Sequence, residues 1–349
     1  AVLQNRINIT ADAYRRLADG QIMKSTVPLE TGESSLTTNI GSVQNAGIEL
    51  GVNFGVIRNQ NFTWDVNVAF ARNWSKIKEL PSGDDVSNNW FIGERLNVLR
   101  DYTYAGVITA DGVTMHTING DKHYTLQEVY DKYGPKSPNK LKWYEGQMAV
   151  NDWNDDGKIN DEDKQIYGCT DPKWTGSLSS TMTYKGFDFS FMLYTKQGQW
   201  SRSYFHEQYM DISDRGRQKM SFDYYIPAGT PVLDKATGDI TYLETPHMGA
   251  YPYPNNYEKT GGGYFSKSSS GVRYQKTSFV KVKNITLGYT FPKKWMSKIA
   301  VKHLRLYVNV LNPFCFTGYD GFDPEWASAN LTDGGPASVT YQIGANIKF

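Results

Sequence analysis

The sequence predicts an all-β fold: a transmembrane antiparallel β-barrel, of which this chain supplies about ten strands. Three observations predict this class. Amphipathic strands with a period of two recur along the chain, their connections are either very short or very long, and 39% hydrophobic residues are combined with 14% aromatic residues at a mean hydropathy of -0.55. A polar chain rich in Tyr and Trp is typical of a barrel with aromatic girdles and large wet loops. It is also typical of a secreted, sugar-handling β protein.

The N-terminal strands are predicted from strict alternation. Ile7–Ala13 sets apolar residues against polar neighbours, and Ile48–Val56 and Phe62–Phe70 do the same with larger side chains. Such alternation indicates strands with one apolar and one polar face. Since only Arg58–Asn61 joins the second run to the third, these two runs form a hairpin.

The middle of the chain carries weaker strand signals. The tight turns of an outer-membrane barrel lie on one side, so an even number of strands has to lie between Phe70 and Thr175. We place two strands there, at Trp90–Leu99 and Asp101–Ile108.

The clearest strands lie in the C-terminal half. Leu178–Tyr184 and Phe187–Leu193 form a second hairpin around a two-residue turn. Val339–Phe349 ends the chain with strict alternation up to an aromatic residue. One apolar face and one polar face suit a strand between lipid and water, and they equally suit a strand that packs on a second sheet.

A third pair of strands consists of Phe279–Phe291 and His303–Leu311. All the predicted strands keep one face nearly free of charge, apart from Lys281 and Lys283 in this pair. For these two lysines we expect a position near a rim of the barrel.

The lengths of the connections show a second regularity. The turns within the hairpins are tight, whereas three connections far exceed the ~15 residues that ordinary loops reach. Short turns at one end and long loops at the other are what an outer-membrane barrel requires. The three predicted extracellular loops are 110–174, 195–271 and 312–338.

A calcium-type motif lies within the first long loop, between Asp152 and Asp163. Calcium takes many hard oxygen ligands, and Gly157 at position 6 permits the sharp turn that folds them around one centre. We therefore expect weak Ca²⁺ binding, at roughly 0.1 to 1 mM. An ion-free turn whose side chains cap their own backbone is the alternative. The candidate ligands are Asp152, Asn154, Asp156, Lys158 and Asp163; no organic cofactor is indicated.

The 195–271 loop is dense in aromatic residues. Flat amphipathic rings stack on sugars or peptides, and Tyr and Trp also dominate the binding energy of protein interfaces. Packing of the loop against itself is the third interpretation. The candidates for contact with substrate or partner are Trp200, Tyr204, Phe205, Tyr209, Tyr224, Tyr225, Tyr251, Tyr253, Tyr257 and Tyr264.

Several functions find no support in the sequence. It has no Gly-x-Ser-x-Gly elbow, no phosphate-binding glycine loop and no His pair at metal spacing, so we expect no enzymatic activity and no catalytic residue. A net charge of +1 without a basic block argues against nucleic-acid binding. Cys169 and Cys315 match no metal spacing.

A series of motifs occurs in the order found in one known family. Together these motifs resemble the C-terminal half of the SusC/RagA family of TonB-dependent outer-membrane transporters of the Bacteroidota, over the whole chain. They are Asn39–Leu50, Asp152–Asp163, Asp171–Gly176, Tyr184–Asp188, Val282–Tyr289, Leu306–Asn312 and Thr317–Glu325.

The resemblance implies a plugged barrel of the TonB-dependent transporter type in the outer membrane of a Gram-negative bacterium. Such a transporter imports oligosaccharides or peptides, is energised through TonB–ExbB–ExbD, and uses a SusD-like lipoprotein as a lid; dimers of these pairs are compatible with it. The resemblance also implies that the terminal Phe349 is read by the barrel-insertion machinery.

Residues 1–349 are interpreted as the C-terminal part of the barrel, because no signal peptide, TonB box or plug is visible in them. A lone half barrel would leave open strand edges in lipid, so we expect the remaining wall and the plug to come from elsewhere.

Polar positions on the strands are candidates for residues that line the barrel lumen and act in transport. The general polarity of a water-filled barrel interior explains them as well. Two other classes of protein stay open. One is a secreted, soluble glycan-binding or glycoside-hydrolase β-sandwich, whose apolar faces would meet a second sheet. The other is a passive porin or adhesin without a plug. The candidate lumen residues are Asn8, Thr10, Asp12, Glu49, Asn53, Asp65, Asn67, Asp188, Ser190 and Asn346.

Overall fold

Eight long strands form one antiparallel sheet in the computed structural model, and we call this sheet the wall. The structure describes residues 6–26, 35–80, 83–134, 144–209, 223–253, 273–299, 301–328 and 335–349. Spatial order in the wall follows chain order. Its strands are β1 (Ile7–Thr26), β2 (Ser35–Arg58), β3 (Phe62–Glu79), β10 (Trp174–Tyr184), β11 (Phe187–Gln197), β16 (Phe279–Thr290), β17 (His303–Thr317) and β18 (Thr340–Lys348).

The other described elements are short and lie in the connections. Ten strands form five two-stranded sheets: β4 (Val98–Tyr102) with β9 (Lys164–Cys169), β5 (Tyr104–Val107) with β8 (Met148–Val150), β6 (Val113–Thr117) with β7 (Gly120–Tyr124), β12 (Trp200–Arg202) with β15 (Tyr274–Lys276), and β13 (Pro231–Leu233) with β14 (Ile240–Tyr242). The helices are α1 (Leu126–Tyr133), α2 (Tyr204–Tyr209) and α3 (Lys293–Met296), and 3₁₀ turns span Asp161–Asp163, Ser297–Ile299 and Pro324–Trp326. No helix in the described ranges has the length and apolar character needed to cross a membrane.

The all-β prediction is confirmed, but the two strands proposed at Trp90–Leu99 and Asp101–Ile108 are wrong as wall strands. The segments there form β4 and β5, which pair with β9 and β8 inside the connection between β3 and β10. In the described residues the wall therefore has eight strands rather than ten. Neither segment is long enough, at five and four residues, to run the height of the wall.

The tight turns all lie at one end of the wall, as predicted. Tyr184 is paired with both Phe62 and Phe187, and Phe187 is paired with Tyr289. The prediction survives the loss of two strands because removing an even number leaves the direction of every other strand unchanged. The β10–β11 turn has positive φ at both central residues, 45° at Lys185 and 93° at Gly186, which is the backbone of a two-residue hairpin.

The register divides the wall into one polar and one apolar face. All ten residues predicted for the lumen fall on the same face: Asn53 is opposite both Asn8 and Asn67, and strand-to-strand pairing carries this face to Asp188 and on to Asn346. Residues that are directly paired share a face of the sheet, so the polar stripe runs without interruption across eight strands.

Apolar side chains occupy the opposite face from β1 to β18. One row joins Ile9, Val52, Val68, Leu178, Leu193, Val282 and Phe314 through direct pairing. Large side chains on this face stay open in the described structure: Leu287 is 52% exposed, Val308 45% and Ile343 87%. A β-sandwich would cover these side chains with a second layer.

Aromatic residues mark both ends of the apolar face. At the turn end the rings of Phe187 and Tyr289 lie 4.5 Å apart, and at the loop end those of Phe70 and Trp174 lie 5.7 Å apart. The 11 residues of β10 join the two belts, which is about 34 Å along the strand or roughly 26 Å at a tilt of about 40°. That height matches the apolar band of a transmembrane barrel.

The two strand lysines lie near the loop end of β16, as expected, and their charges are matched there. Lys281 is 2% exposed, and its Nζ lies 3.0 Å from both carboxylate oxygens of Asp323 and 2.6 Å from Glu325 Oε2. Lys283 Nζ donates to the same Glu325 oxygen at 2.8 Å. This ion cluster fastens the connection between β17 and β18 to the wall.

The main buried core lies in the connection between β3 and β10 rather than in the wall. Helix α1 starts with a reciprocal capping box between Thr125 and Glu128 and turns its apolar side inward. Val129, Tyr130 and Tyr133 of the helix pack against Ile108, Val113, Met115, Tyr144, Ala149 and Val150. The described part of the 80–173 connection is thus a small folded unit, and we call this connection the β3–β10 insertion.

Candidate functional site

An aromatic cavity of about 710 Å³ lies at the loop end, where several connections meet. Five of its eleven lining residues carry aromatic rings, and the others are small or polar residues and one lysine. The lining residues are Thr103, Tyr104, Tyr167, Trp200, Ala250, Tyr251, Tyr274, Gln275, Lys276, Ser278 and Gly318.

The paired strands β12 and β15 place Trp200 and Tyr274 on one face, because Trp200 is opposite Lys276 and Arg202 is opposite Tyr274. Tyr167 from β9 completes the group, with its ring centroid 5.8 Å from that of Trp200 and 5.1 Å from that of Tyr274. Gly168 is what lets β9 come this close, since a Cβ there would lie 2.3 Å from Trp200 Cδ1.

Polar groups around the rings are held in place. Asp101 accepts hydrogen bonds from Arg273 at 2.6 Å and from the Tyr274 hydroxyl at 3.0 Å. Burial raises the pKa of Tyr104, Tyr167 and Tyr274, so their hydroxyls remain protonated at neutral pH. No carboxylate is among the lining residues, and the cavity therefore offers rings, hydroxyls and an ammonium to a ligand.

The structure separates the predicted contact aromatics into groups. Trp200 and Tyr251 line the cavity, and Tyr204 and Tyr253 are half-buried. Phe205, Tyr224 and Tyr225 are 5%, 2% and 0% exposed, which assigns them to the interior of the loop rather than to a contact surface. Tyr257, Tyr264 and the side chain of Tyr209 lie outside the described residues.

Sequence reasoning missed Tyr104, Tyr167 and Tyr274 as cavity residues. The first two belong to the β3–β10 insertion, and the third lies beyond the aromatic-rich stretch. Only the pairing of distant strands brings them together, so no local pattern could have identified them. Phe349 lies just past the end of β18 and is 80% exposed.

A Ser–His–Asp arrangement lies beside the cavity. Ser203 Oγ is 2.6 Å from His206 Nδ1, and His206 Nε2 is 2.6 Å from Asp320 Oδ1. Both Ser203 and His206 are 0% exposed, and Ser203 Oγ is also hydrogen-bonded to the Tyr319 hydroxyl at 2.6 Å. In the described structure the arrangement joins the connection that carries Ser203 and His206 to the one that carries Asp320, and Ser203 and His206 are closed to solvent.

The candidate calcium ligands are placed by one loop that follows β8. Asp152 and Asp163 are both 0% exposed, and Asp152 Oδ2 accepts from Gly157 N at 2.9 Å and from the Tyr133 hydroxyl at 2.6 Å. Asn154 Oδ1 accepts from Asp156 N, and Asp156 Oδ1 accepts from Lys158 N. In the described part of the chain, no three His, Cys, Asp or Glu side chains are gathered into a metal cluster.

The chain was compared with known proteins. No family model matches it. The TonB-dependent receptor P39 of Formosa agariphila is 29% identical over the whole chain, which covers 34% of that receptor. The TonB-dependent receptor SusC of Bacteroides thetaiotaomicron is 28% identical over 99% of the chain, which covers 30% of it.

Solved structures give the fold. The RagAB peptide transporter superposes on 99% of the chain with a TM-score of 0.64 and 18% identity, and 34% of that protein is covered. The RagAB importer in its closed-closed state gives a TM-score of 0.61. The predicted barrel type is confirmed, since the wall is a strip of such a barrel.

The chain spans about a third of the length of the curated relatives it matches. The resemblance predicted from the sequence is confirmed: over its whole length this chain is related to SusC-type TonB-dependent receptors and has the fold of part of one.

Proposed function

We propose that the protein is part of a TonB-dependent outer-membrane importer of oligosaccharides or peptides, in a bacterium of the Bacteroidota. The observation that carries this proposal is the wall: eight strands with one continuous apolar face left open, one polar face, and all tight turns at one end. A sheet with an open apolar face this large is stable where lipid meets it.

The partners follow from the same proposal. TonB–ExbB–ExbD supplies energy through a plug that other residues provide, and a SusD-like lipoprotein closes the loop end. The relatives named SusC and RagAB support this arrangement in general terms. Dimers of such pairs are part of the proposal.

Two other functions receive less support. A soluble β-sandwich needs a second layer on the apolar face, and in the described residues large side chains on that face are open to solvent. A passive porin or adhesin shares the wall, yet the relatives are TonB-dependent receptors. We propose no enzymatic role, because the Ser203–His206–Asp320 arrangement is closed to substrate.

Membrane fractionation tests the location. The protein expressed in its native cell envelope should stay with the outer-membrane fraction after carbonate washing. Release into the wash would refute the outer-membrane assignment and favour a soluble module.

Cargo uptake tests the cavity. Trp200→Ala removes one stacking ring, which is worth about 0.5–1.5 kcal/mol, and should weaken cargo binding roughly two- to tenfold. Trp295→Ala is the matched control, since Trp295 is 55% exposed at the turn end. Growth of a deletion strain on a panel of glycans and peptides identifies the cargo with which the two variants are compared. Equal uptake by both variants would remove the cavity from the transport path.

A further inference from the structure

We propose that residues 152–163 form a calcium-binding loop in which the buried carboxylate of Asp152 is the central ligand, and that the ion closes the β3–β10 insertion. The proposal is independent of the import function. It rests on a buried oxygen without a partner, on the balance of charge around the loop, and on the oxygen-bearing residues that surround it.

The first observation concerns Asp152 Oδ1. The side chain is 0% exposed, and Oδ1 has no hydrogen-bond partner in the structure. The other oxygen, Oδ2, accepts the amide of Gly157 at 2.9 Å across the loop, which holds the carboxylate inside the turn. A buried anionic oxygen left unpaired is costly, and a cation in the turn would satisfy it.

Charge around the loop is also unbalanced. Two fully buried carboxylates, Asp152 and Asp163, begin and end the loop. Asp163 accepts only backbone N–H groups, from Asn154 at 3.3 Å and Asn160 at 2.8 Å. In the described structure the nearest ammonium is that of Lys132, at 3.4 Å from Asp152 Oδ2. One ammonium leaves a net negative charge inside the insertion, which favours a divalent cation.

The available ligands fit calcium better than magnesium or zinc. Three acidic side chains are not gathered in this conformation, so amide, backbone and water oxygens have to complete the shell. Asn154 and Asp156 supply side-chain oxygens and Lys158 a carbonyl at the spacing that calcium loops use. Calcium accepts six to eight oxygens in a flexible geometry, whereas magnesium demands a strict octahedron and zinc prefers nitrogen and sulfur.

The loop is placed where an ion would act on the whole insertion. Asp152 lies two residues after the end of β8 and accepts a hydrogen bond from the hydroxyl of Tyr133 in α1, and Ile159 packs against the core. Calcium would therefore join the end of β8, the helix and the start of β9, and would protect this region from local opening.

Terbium luminescence on the full-length protein in detergent, stripped of metal by a chelator, tests the proposal. Trp153 lies at the second loop position and should sensitise bound Tb³⁺, with emission displaced by Ca²⁺ at roughly 0.1 to 1 mM. With excitation at the red edge of the absorption band, where tryptophan absorbs and the nearby Tyr133 does not, Trp153→Phe should abolish the emission, which locates the site. Absence of emission that Ca²⁺ displaces, up to about 10 mM, would overturn the proposal.

Matched variants distinguish direct binding of Ca²⁺ by Asp152 from the effect of the negative charge of the loop as a whole. Asp152→Asn should weaken Ca²⁺ at least about tenfold, whereas Asp155→Asn should change it less than about twofold, because Asp155 points to Lys122 and Asn119 instead. Asp156→Ala, at an exposed position, replaces Asp152→Asn if the buried variant does not fold. Hydrogen exchange of 144–169 should slow on adding Ca²⁺ to the native protein. Equal losses in the Asp152 and Asp155 variants, or unchanged exchange, would contradict the site.

Discussion

The wall and the β3–β10 insertion bury their apolar residues in opposite ways. In the wall the apolar side chains are open on one face, with Ile343 87% exposed and Ile9 59%. In the insertion Met115 and the α1 residues Val129 and Tyr133 are almost completely buried against one another. The same chain thus contains one region built for an apolar surrounding and another built for water.

The burial of side chains is therefore by itself a poor guide to the stability of the wall. Strand propensity and register specify it, while its apolar face depends on the solvent that meets it. The insertion is stabilised by its own core, as in a small soluble domain. The effect of a substitution in the wall should therefore depend on the lipid that meets it, whereas the effect of a substitution in the insertion should depend on packing in its own core.

The largest effect is expected in the core of the insertion. Met115→Ala leaves a cavity among fully buried neighbours and should reduce the local stability of the insertion by about 2–5 kcal/mol. Hydrogen exchange should accelerate in α1 and β6, while the amides of β10 and β11 keep their protection. Ile118→Ala in the same hairpin is the control, since Ile118 is 68% exposed and should cost less than about 0.5 kcal/mol. Accelerated exchange in β10 would show that the two regions are not independent.

The second-largest loss of stability is expected from a charge on the open apolar face of the wall. Val68→Arg, midway along an apolar row, should destabilise the protein in lipid by about 2–4 kcal/mol, whereas Asn67→Arg on the polar face should be far milder. Folding into lipid vesicles at increasing urea measures both. Equal tolerance on the two faces would contradict the assignment of the faces.

A smaller effect is expected at the start of α1. Thr125→Ala removes the hydrogen bond that Thr125 Oγ1 accepts from Glu128 N, keeps the one from Thr125 N to the Glu128 carboxylate, and should cost the insertion about 1 kcal/mol. Thr125→Ser keeps the hydroxyl and should behave like the unchanged protein in the same exchange experiment. If Ser and Ala variants exchange alike, the capping box does not stabilise the helix.

Lowering the pH should break the ion cluster that holds the connection between β17 and β18, before it destabilises the wall itself. Burial favours the neutral form of Glu325, but hydrogen bonds from Lys281 and Lys283 outweigh it and hold the pKa below its ordinary value of 4.5. A lowered pKa stabilises the folded state above the ordinary value, and this contribution is lost as pH falls through the folded pKa. Exchange of 318–328 should therefore rise below about pH 4.5. Asp320 in the same segment also has a lowered pKa, because the effect of its burial is outweighed by hydrogen bonds from His206 and Tyr251. Glu325→Gln should therefore weaken that dependence rather than abolish it; an unchanged pH profile in this variant would exclude Glu325 as a cause.

The sequence predicted the wall well and its surroundings less well. Alternation such as that of Phe62–Phe70 identifies a strand and its two faces, and loop lengths indicate which end carries the turns. The pairing of strands that are distant in sequence could not be predicted from local patterns. The segments at Trp90–Leu99 and Asp101–Ile108 carry strand-forming residues, but the residues paired with β4 and β5 lie between 41 (Val107 to Met148) and 71 (Val98 to Cys169) positions further along the chain, inside the same insertion.

The candidate site shows the same limit. Trp200 and Tyr251 were predicted from aromatic density, whereas Tyr104, Tyr167 and Tyr274 reach the cavity only through the pairing of β5 with β8, of β4 with β9 and of β12 with β15. Spacing alone located the calcium-type loop, because its candidate ligands are close in sequence. Which aromatic residues are buried, as Tyr225 is, depends on contacts that no local pattern contains.

Site-directed fluorescence quenching tests the central claim most directly. Single cysteines at Val68 and at Asn67, in a protein with Cys169 and Cys315 replaced by Ser, carry the same fluorophore in reconstituted vesicles. We expect brominated lipid to quench the label at residue 68 and aqueous iodide to quench the label at residue 67. A label at residue 68 that is protected from lipid, or equally quenched by iodide, would contradict it.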